Sequence, residues 1–322
     1  MKTINWGILG TGKIAGKFAT DLHTVAGSQL VAVGSRSLES AQAFAKENNA
    51  STAHASYEAL ARDPQVDIIY IATPHVRHCE DSILCMQNGK HVLCEKPFAM
   101  NAQEVEKMLA CAKKNNVFLM EALWTRMMPF FLFIEEEIKS GKYGHIQTLT
   151  ADFCFPAPFD PAGRLFDKSL GGGALLDVGI YPVFFALALM GEPVEILAKA
   201  KIGKTGVDEF TEMTFIYPNG AKAHLNGGIT QQTPTTATII LDKGLIYVPT
   251  RFHHSDTVTT VHDGVKLNHD FSHGERGYNY EIAHAAQTVR EKKTESNLMT
   301  HDLSRLIIKT LDRVRAIIGL QY

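Results

Sequence analysis

Gly7-Ile8-Leu9-Gly10-Thr11-Gly12-Lys13-Ile14-Ala15 is a strand-like run that breaks into glycines and resumes as a helical pattern, and its reading decides the fold. The spacing has a mechanical reason. Gly10 makes a tight turn, Gly12 lets the backbone approach a pyrophosphate, and the small Ala15 lets the helix pack close to the strand with its first amides facing the phosphates. A glycine-rich βα turn without a ligand is the bland alternative. Because the motif sits in a full βαβ unit, the dinucleotide reading is favoured, and Gly10, Thr11, Gly12, Lys13 and Ile14 become candidate cofactor contacts.

From Thr3 to about Glu121, short apolar runs alternate with helical patterns, the rhythm of βα units around a parallel sheet. Candidate strands are 4–9, 30–34, 68–72, 91–94 and 118–120, with helices near 14–25, 38–48, 76–88 and 102–115. Beyond Trp124 the pattern changes to a helix around 130–139, a Gly/Pro-rich stretch over 156–173 and a strongly apolar helix over 174–190. Alternating segments follow at 194–202, 210–217, 221–229, 235–241, 244–248, 257–261 and 265–269, separated by turn signals such as Pro218-Asn219-Gly220. The tail over 300–318 returns to helical spacing, with Thr300 as its cap. The expected fold class is therefore α/β. An N-terminal doubly wound parallel sheet of Rossmann type occupies 1–122, and an α+β domain with a large, mainly antiparallel sheet occupies 123–322. Whether the C-terminal helix packs back onto the first domain is left open.

A chain of 322 residues is long for one core and suits two domains. Its net charge of -2 and scattered basic pairs give no nucleic-acid footprint. The longest uninterrupted apolar run, 183–190, falls far short of the roughly 20 residues that cross a bilayer. The sequence opens on a strand without the regions of a signal peptide. Cys79, Cys85, Cys94, Cys111 and Cys154 are odd in number and lack metal-ligand spacing, which fits reduced thiols in a cytoplasm. A soluble cytoplasmic protein without a metal is expected.

The end of the second strand discriminates between nicotinamide cofactors. An acidic residue there normally binds the ribose 2'-hydroxyl, whereas this chain has Ser35-Arg36-Ser37. A guanidinium flanked by hydroxyls suits a 2'-phosphate, so NADP(H) is preferred over NAD(H). Against this, Arg36 is read as a solvated surface residue and Ser37 as a helix cap. Thr73-Pro74-His75, after the strand 68–72, falls at the carboxyl edge of the sheet where open α/β folds bind ligands. His75 and His78 form no metal pair, since no third ligand is spaced to join them. They are candidate cofactor contacts or simple loop and first-turn histidines.

Glu95-Lys96-Pro97 follows the strand 91–94 and brings a lysine to that same edge, beside the bound dinucleotide. Pro97 fixes the local backbone, through a trans or a cis bond. A second constellation is Gly171-Gly172-Gly173-Ala174-Leu175-Leu176-Asp177-Val178-Gly179-Ile180-Tyr181. Its glycines permit close backbone approach, and Asp177 and Tyr181, four apart on a helix, share a face. Singly, each has a plain structural reading: a flexible loop, a dipole partner, a packed aromatic. As a set they favour function. Trp124 and Arg126 are candidates to line a substrate pocket, where an indole face suits a sugar ring or an aromatic diol, or else to seal a core.

Together the glycine fingerprint, Glu95-Lys96-Pro97 and the Gly-Gly-Gly-x-x-x-Asp-x-Gly-x-Tyr run resemble the Gfo/Idh/MocA oxidoreductase family over essentially the whole chain. Met120-Glu121-Ala122-Leu123-Trp124-Thr125-Arg126 looks most like the branch containing the dimeric dihydrodiol dehydrogenases and NADP-dependent D-xylose dehydrogenases. The resemblance implies a carbohydrate or diol substrate, dimerisation through the C-terminal sheet, and catalysis by Lys96 with Tyr181 as acid/base partner and Asp177 as an orienting group. Many members place histidine at the position of Tyr181, which puts the identity of the base in question. The same superfamily includes a dinucleotide-binding repressor, so a non-catalytic sensor is the alternative. A metal-dependent lyase lacks a ligand set.

Overall fold

The computed structural model describes residues 2–272 and 276–322. The chain divides into two compact units, Met1–Met127 with Gly274–Arg305 and Met128–His273 with Leu306–Tyr322.

In the first unit the glycine turn joins β1 (Ile4–Leu9) to α1 (Lys13–Leu22). β2 (Ser28–Gly34), α2 (Leu38–Glu47), β3 (Thr52–His54), α3 (Tyr57–Ala61), β4 (Ile68–Ile71), α4 (His78–Gln87), β5 (His91–Glu95), α5 (Ala102–Asn115) and β6 (Leu119–Ala122) follow. The six strands are parallel in the order β3-β2-β1-β4-β5-β6. This is the doubly wound dinucleotide-binding order, which reverses between β1 and β4 and opens a crevice at the carboxyl ends of those strands. β3 is absent from the sequence-based set because it has three half-buried residues, Thr-Ala-His, with no apolar run. Under the sheet, Phe18 stacks on Tyr70 at 3.6 Å and Trp6 lies 5.5 Å from Phe18. Burying rings of this size supplies about 1.5–3 kcal/mol apiece. α8 (Tyr278–Arg290) belongs to this unit because Tyr278 donates its N–H to Asp21 Oδ2 at 3.0 Å and Arg290 donates to the carbonyls of Lys2 and Gly27.

The second unit contains α6 (Pro129–Lys139), β7 (Ile146–Cys154), α7 (Ile180–Met190) and β8 (Glu195–Ile202). β9 (Asp208–Ile216), β10 (Lys222–Gly228), β11 (Ala237–Leu241), β12 (Gly244–Val248), β13 (Thr257–His262) and β14 (Val265–Asp270) complete its sheet. α9 (His301–Ile318) ends the chain, and Leu303 donates its N–H to Thr300 Oγ1, the expected cap. The sheet order is β14-β13-β12-β11-β7-β10-β9-β8, antiparallel except between β7 and β10. β7 is central yet has no counterpart among the alternating segments. Its buried positions, Ile146, Leu149, Ala151 and Cys154, are spaced three, two and three apart, and the first slip lies opposite a register shift at Ile240/Leu241. A broken period hides a strand.

The apolar run expected as one helix is a π-helical turn, Leu175–Gly179, continued by α7. The helical stretch Lys168–Met190 is long and apolar enough to cross a membrane, but 83% of its apolar window is buried inside the unit, as a core helix is. All five cysteines are free.

Candidate active site

Gly10 has φ +100, and a Cβ there would lie 2.8 Å from the carbonyl oxygen of Ala72, so both torsion and crowding demand glycine. Gly12 differs. It is extended at the start of α1, and a Cβ there meets nothing within 4 Å. The space beside Gly12 serves no packing purpose, and α1 has neither a side-chain cap nor an acidic residue in its first turn. Open space over uncapped amides is what a pyrophosphate needs. Thr11, Lys13 and Ile14 flank that space along the turn.

At the end of β2, Ser37 caps α2 by accepting the N–H of Ser40 at 3.3 Å, and Ser35 Oγ accepts the N–H of Ser37 at 3.4 Å. The two hydroxyls are thus partly engaged in shaping the turn. Arg36 is exposed beside Tyr57, and no carboxylate stands in the turn itself. Arg77, 6.0 Å over the Tyr57 ring, is held by Glu80 and Asp81 at 2.6 Å each.

After β4, Thr73 is buried, Pro74 is exposed and His75 is half-buried. His78 is fully buried, with Nε2 at 2.9 Å from the carbonyl of Thr73 and Nδ1 at 2.8 Å from that of Pro97. It ties the loop after β4 to the loop after β5. Burial lowers its pKa against the pull of the two carbonyls, and a neutral ring donates to only one of them.

Lys96 emerges half-buried at the carboxyl end of β5, and its bond to Pro97 is cis. The main chain around it is clamped by buried groups. Glu95 accepts the Lys96 N–H at 3.1 Å and the hydroxyl of fully buried Tyr70, while Glu121 accepts the N–H of Phe98 at 3.0 Å and the hydroxyl of Ser304 at 2.8 Å. Burial pushes the Glu121 carboxyl up to about 7. Burial, with the nearby Glu95 and Asp21, raises the carboxyl of Glu281 well above the usual carboxylate range, and this fully buried side chain has no hydrogen-bond partner among the described residues. Trp124 stacks on Tyr278 at 4.6 Å, and Arg126 donates from Nε to the carbonyl of Leu298 at 3.0 Å, so both take part in packing of the first unit.

Asp177 and Tyr181 belong to the second unit, Asp177 within the π-helical turn and Tyr181 in the first turn of α7. Such turns are rare and recur at functional sites. Asp177 is 6% exposed and is gripped by Arg164 with N–O distances of 3.0 and 3.4 Å. A two-pronged guanidinium fixes the plane of a carboxylate as well as its charge. The preceding glycines fit a crowded bend, since a Cβ on Gly172 would lie 2.8 Å from the carbonyls of Leu165 and Asp167. Gly173, at φ +120, lies against Asp208, whose Oδ2 accepts the N–H of Leu175 at 2.7 Å and so caps the run. Tyr322 donates its hydroxyl to the Gly172 carbonyl at 2.5 Å. Tyr181, 6% exposed, packs its ring 5.6 Å from Phe153 and 5.0 Å from His253. Arg164, Asp208, His253 and Tyr322 carry no local motif, and only the fold brings them to this loop.

A family described as oxidoreductases with an NAD-binding Rossmann fold matches residues 4–123, and the GFO/IDH/MocA C-terminal domain matches residues 131–247. Trans-1,2-dihydrobenzene-1,2-diol dehydrogenase of Xenopus laevis is 37% identical over 98% of both chains, and that of Homo sapiens is 34% identical over 99% of this chain and 98% of its own. Among solved structures, a 3-ketoreductase from Actinomadura kijaniata in complex with NADP and TDP-benzene superimposes with a TM-score of 0.89 at 22% identity, covering 98% of each chain. An aldose-aldose oxidoreductase from Caulobacter crescentus complexed with glycerol gives 0.91 at 20% identity, covering 99% of this chain and 98% of its own. A Rossmann sheet with an uncapped glycine turn, the lysine after β5 and two family matches that together span both units lead to one conclusion: the chain belongs to the Gfo/Idh/MocA family of NAD(P)-dependent oxidoreductases.

Proposed function

We propose that this chain is an NADP(H)-dependent dehydrogenase or reductase acting on a CH–OH group of a cyclic diol, sugar or polyol. The dihydrodiol dehydrogenases at 34–37% identity over nearly the full chain support this substrate class. The observation that carries the reading is the Glu95 and Glu121 clamp on the main chain around Lys96. A lysine held this way at the carboxyl edge of a dinucleotide-binding sheet supports a role for Lys96 in the chemistry.

Gly10 to Ile14, Thr73 to His75 and Glu95 to Pro97 would hold the dinucleotide, with Arg36 on its 2'-phosphate. The nicotinamide, when bound, supplies a hydride acceptor in oxidation and a donor in reduction. The protein's own task is the hydroxyl proton. Tyr181 accepts it, and the cationic amine of Lys96 favours the phenolate that does so. The converse division, Lys96 as proximal base, is separated from this one by the variants discussed below. Asp177, fixed by Arg164, orients the substrate hydroxyls. Trp124 and Arg126 shape the pocket wall from behind.

Arg36→Ala should weaken NADPH binding about 10–100-fold while leaving NADH nearly untouched, the range expected for one charge-assisted contact. Fluorescence titration with both cofactors checks this, and an unchanged affinity ratio defeats the NADP assignment. The overall reading is tested by NADP+ reduction at 340 nm across a panel containing trans-dihydrobenzenediol, D-xylose and other sugars. Tight NADPH binding with no turnover on any of them would favour a dinucleotide sensor.

A homodimer through the second unit's sheet completes the proposal. Cross-strand partners line one face with Leu197, Thr214, His224, Thr150, Thr238 and Tyr247, next to a row containing Ile216, Lys222, Thr148, Ile240 and Leu245. Leu197 and Ile240 are exposed on this broad face, the kind of surface a second copy covers. Light scattering should return twice the 35.5 kDa chain mass. A single-chain mass at micromolar concentration would remove this part.

A further inference from the structure

We propose that His253 is a positioning residue that fixes the ring of Tyr181 for proton transfer. The inference rests on the reading of Tyr181 as the proton acceptor. His253 is 8% exposed, and its imidazole lies face to face with Phe153 at 4.2 Å and 12°. Tyr181 tilts against that imidazole at 5.0 Å and against Phe153 at 5.6 Å, so the three rings close a triangle. Each ring blocks a direction in which the phenol would otherwise swing.

The backbone that presents His253 is unusual. It sits in a short turn, Phe252–His254, entered through Arg251 at φ +64. Phe252 anchors the turn, fully buried and edge-on to Phe185 at 5.3 Å, and donates its N–H to the carbonyl of Thr235 at 3.1 Å. Thr235 is itself left-handed at φ +57, a conformation that β-branched residues seldom adopt. The Asp152 carboxylate maintains it by accepting the N–H of Thr235 at 2.7 Å and that of Thr236 at 3.3 Å. Asp152 and Phe153 are neighbours on β7, so one strand both holds the strained segment and supplies the ring on which the imidazole lies. Two unfavourable backbone conformations are kept to deliver one side chain to Tyr181. Strain of this kind concentrates at functional sites.

The test uses the full-length protein with His253→Ala, His253→Asn and His253→Phe, and Tyr181→Phe as reference. Ala and Asn remove the stacked ring, and Phe keeps it. Loss of the ring should lower kcat about 10–100-fold, the cost of misaligning a reacting group, with the KM for NADP+ and the affinity for NADPH unchanged. His253→Phe should restore most of kcat. If Ala fails to fold, Asn against Phe gives the same contrast. A kcat within twofold of wild type in Ala or Asn, or equal damage in Phe, overturns the proposal. A second readout does not need turnover. With 3-fluorotyrosine incorporated, the resonance missing from Tyr181→Phe should be narrow in wild type and His253→Phe, and broadened or shifted toward the free amino acid in Ala or Asn. An unchanged Tyr181 resonance overturns the positioning role whatever the kinetics do. Failure of the oxidoreductase reading is registered separately, as absence of turnover in wild type, and failure of the reading of Tyr181 as proton acceptor, as survival of turnover in Tyr181→Phe.

Discussion

Tyr181→Phe is expected to lower kcat by about 10²–10⁴-fold, the usual contribution of a general acid or base, with NADPH affinity retained. Phenylalanine keeps the ring packing against Phe153 and His253 and deletes only the hydroxyl, so a fall in kcat reports proton transfer. Lys96→Met should produce a comparable loss by a different route. Tyrosine and lysine both start near a pKa of about 10, too high for an efficient base at neutral pH, and in the proposed mechanism the charge of Lys96 favours the phenolate. Without that charge the phenol stays protonated. If the two act as a unit, as proposed, the double variant should be scarcely worse than either single one. Near-normal kcat in either single variant removes that residue from the mechanism, and additive losses would show that they act independently. A residual rate in Lys96→Met that rises with pH while Tyr181→Phe stays flat assigns the base to Tyr181. The reverse pattern assigns it to Lys96.

The two glycines of the fingerprint should respond differently to the same added methyl group. Gly10→Ala places a Cβ 2.8 Å from the Ala72 carbonyl at a φ of +100, and the combined strain and crowding should cost about 2–5 kcal/mol of stability. Urea unfolding of the first unit reads this directly. Gly12→Ala meets nothing within 4 Å, so its effect on stability should stay within about 1 kcal/mol. Its NADPH affinity should nonetheless fall about 10–100-fold, the penalty for one ill-fitting methyl in a tight site. Equal stability loss in both variants would mean that Gly12 is structural. Unchanged NADPH binding in Gly12→Ala would move the pyrophosphate elsewhere.

Much of this was legible in the residues because local rules agree with the final fold. The first sheet announced itself through fully buried strands such as Ile68–Ile71, which leave apolar runs between helical periods. The candidate cofactor loops follow from strand ends alone. What stayed hidden depends on long-range pairing. β3 is too short and too polar to register, and β7 reads as irregular because its alternation breaks where the neighbouring register shifts. The π-helical turn holding Asp177 is invisible to periodicity, since its sequence is that of an ordinary apolar helix. Arg164 reaches Asp177 from 13 positions away and Asp208 caps Leu175 from 33. Neither carries a motif, and only the folded chain shows them as supports of the site. The tie that His78 makes between the loops after β4 and β5 was equally hidden, because it depends on burial of the ring between the carbonyls of Thr73 and Pro97.

Transfer of a labelled hydrogen tests the central claim most directly. The protein is mixed with NADP+ and alcohols deuterated at the carbinol carbon, trans-dihydrobenzenediol and D-xylose among them, and the NADPH is analysed by mass spectrometry. Wild type should yield NADPH carrying one deuterium from at least one of these alcohols, and Tyr181→Phe and Lys96→Met should yield almost none while still binding NADPH. Unlabelled NADP+ recovered from wild type with every alcohol, or labelled NADPH formed at wild-type rates by either variant, would contradict the account.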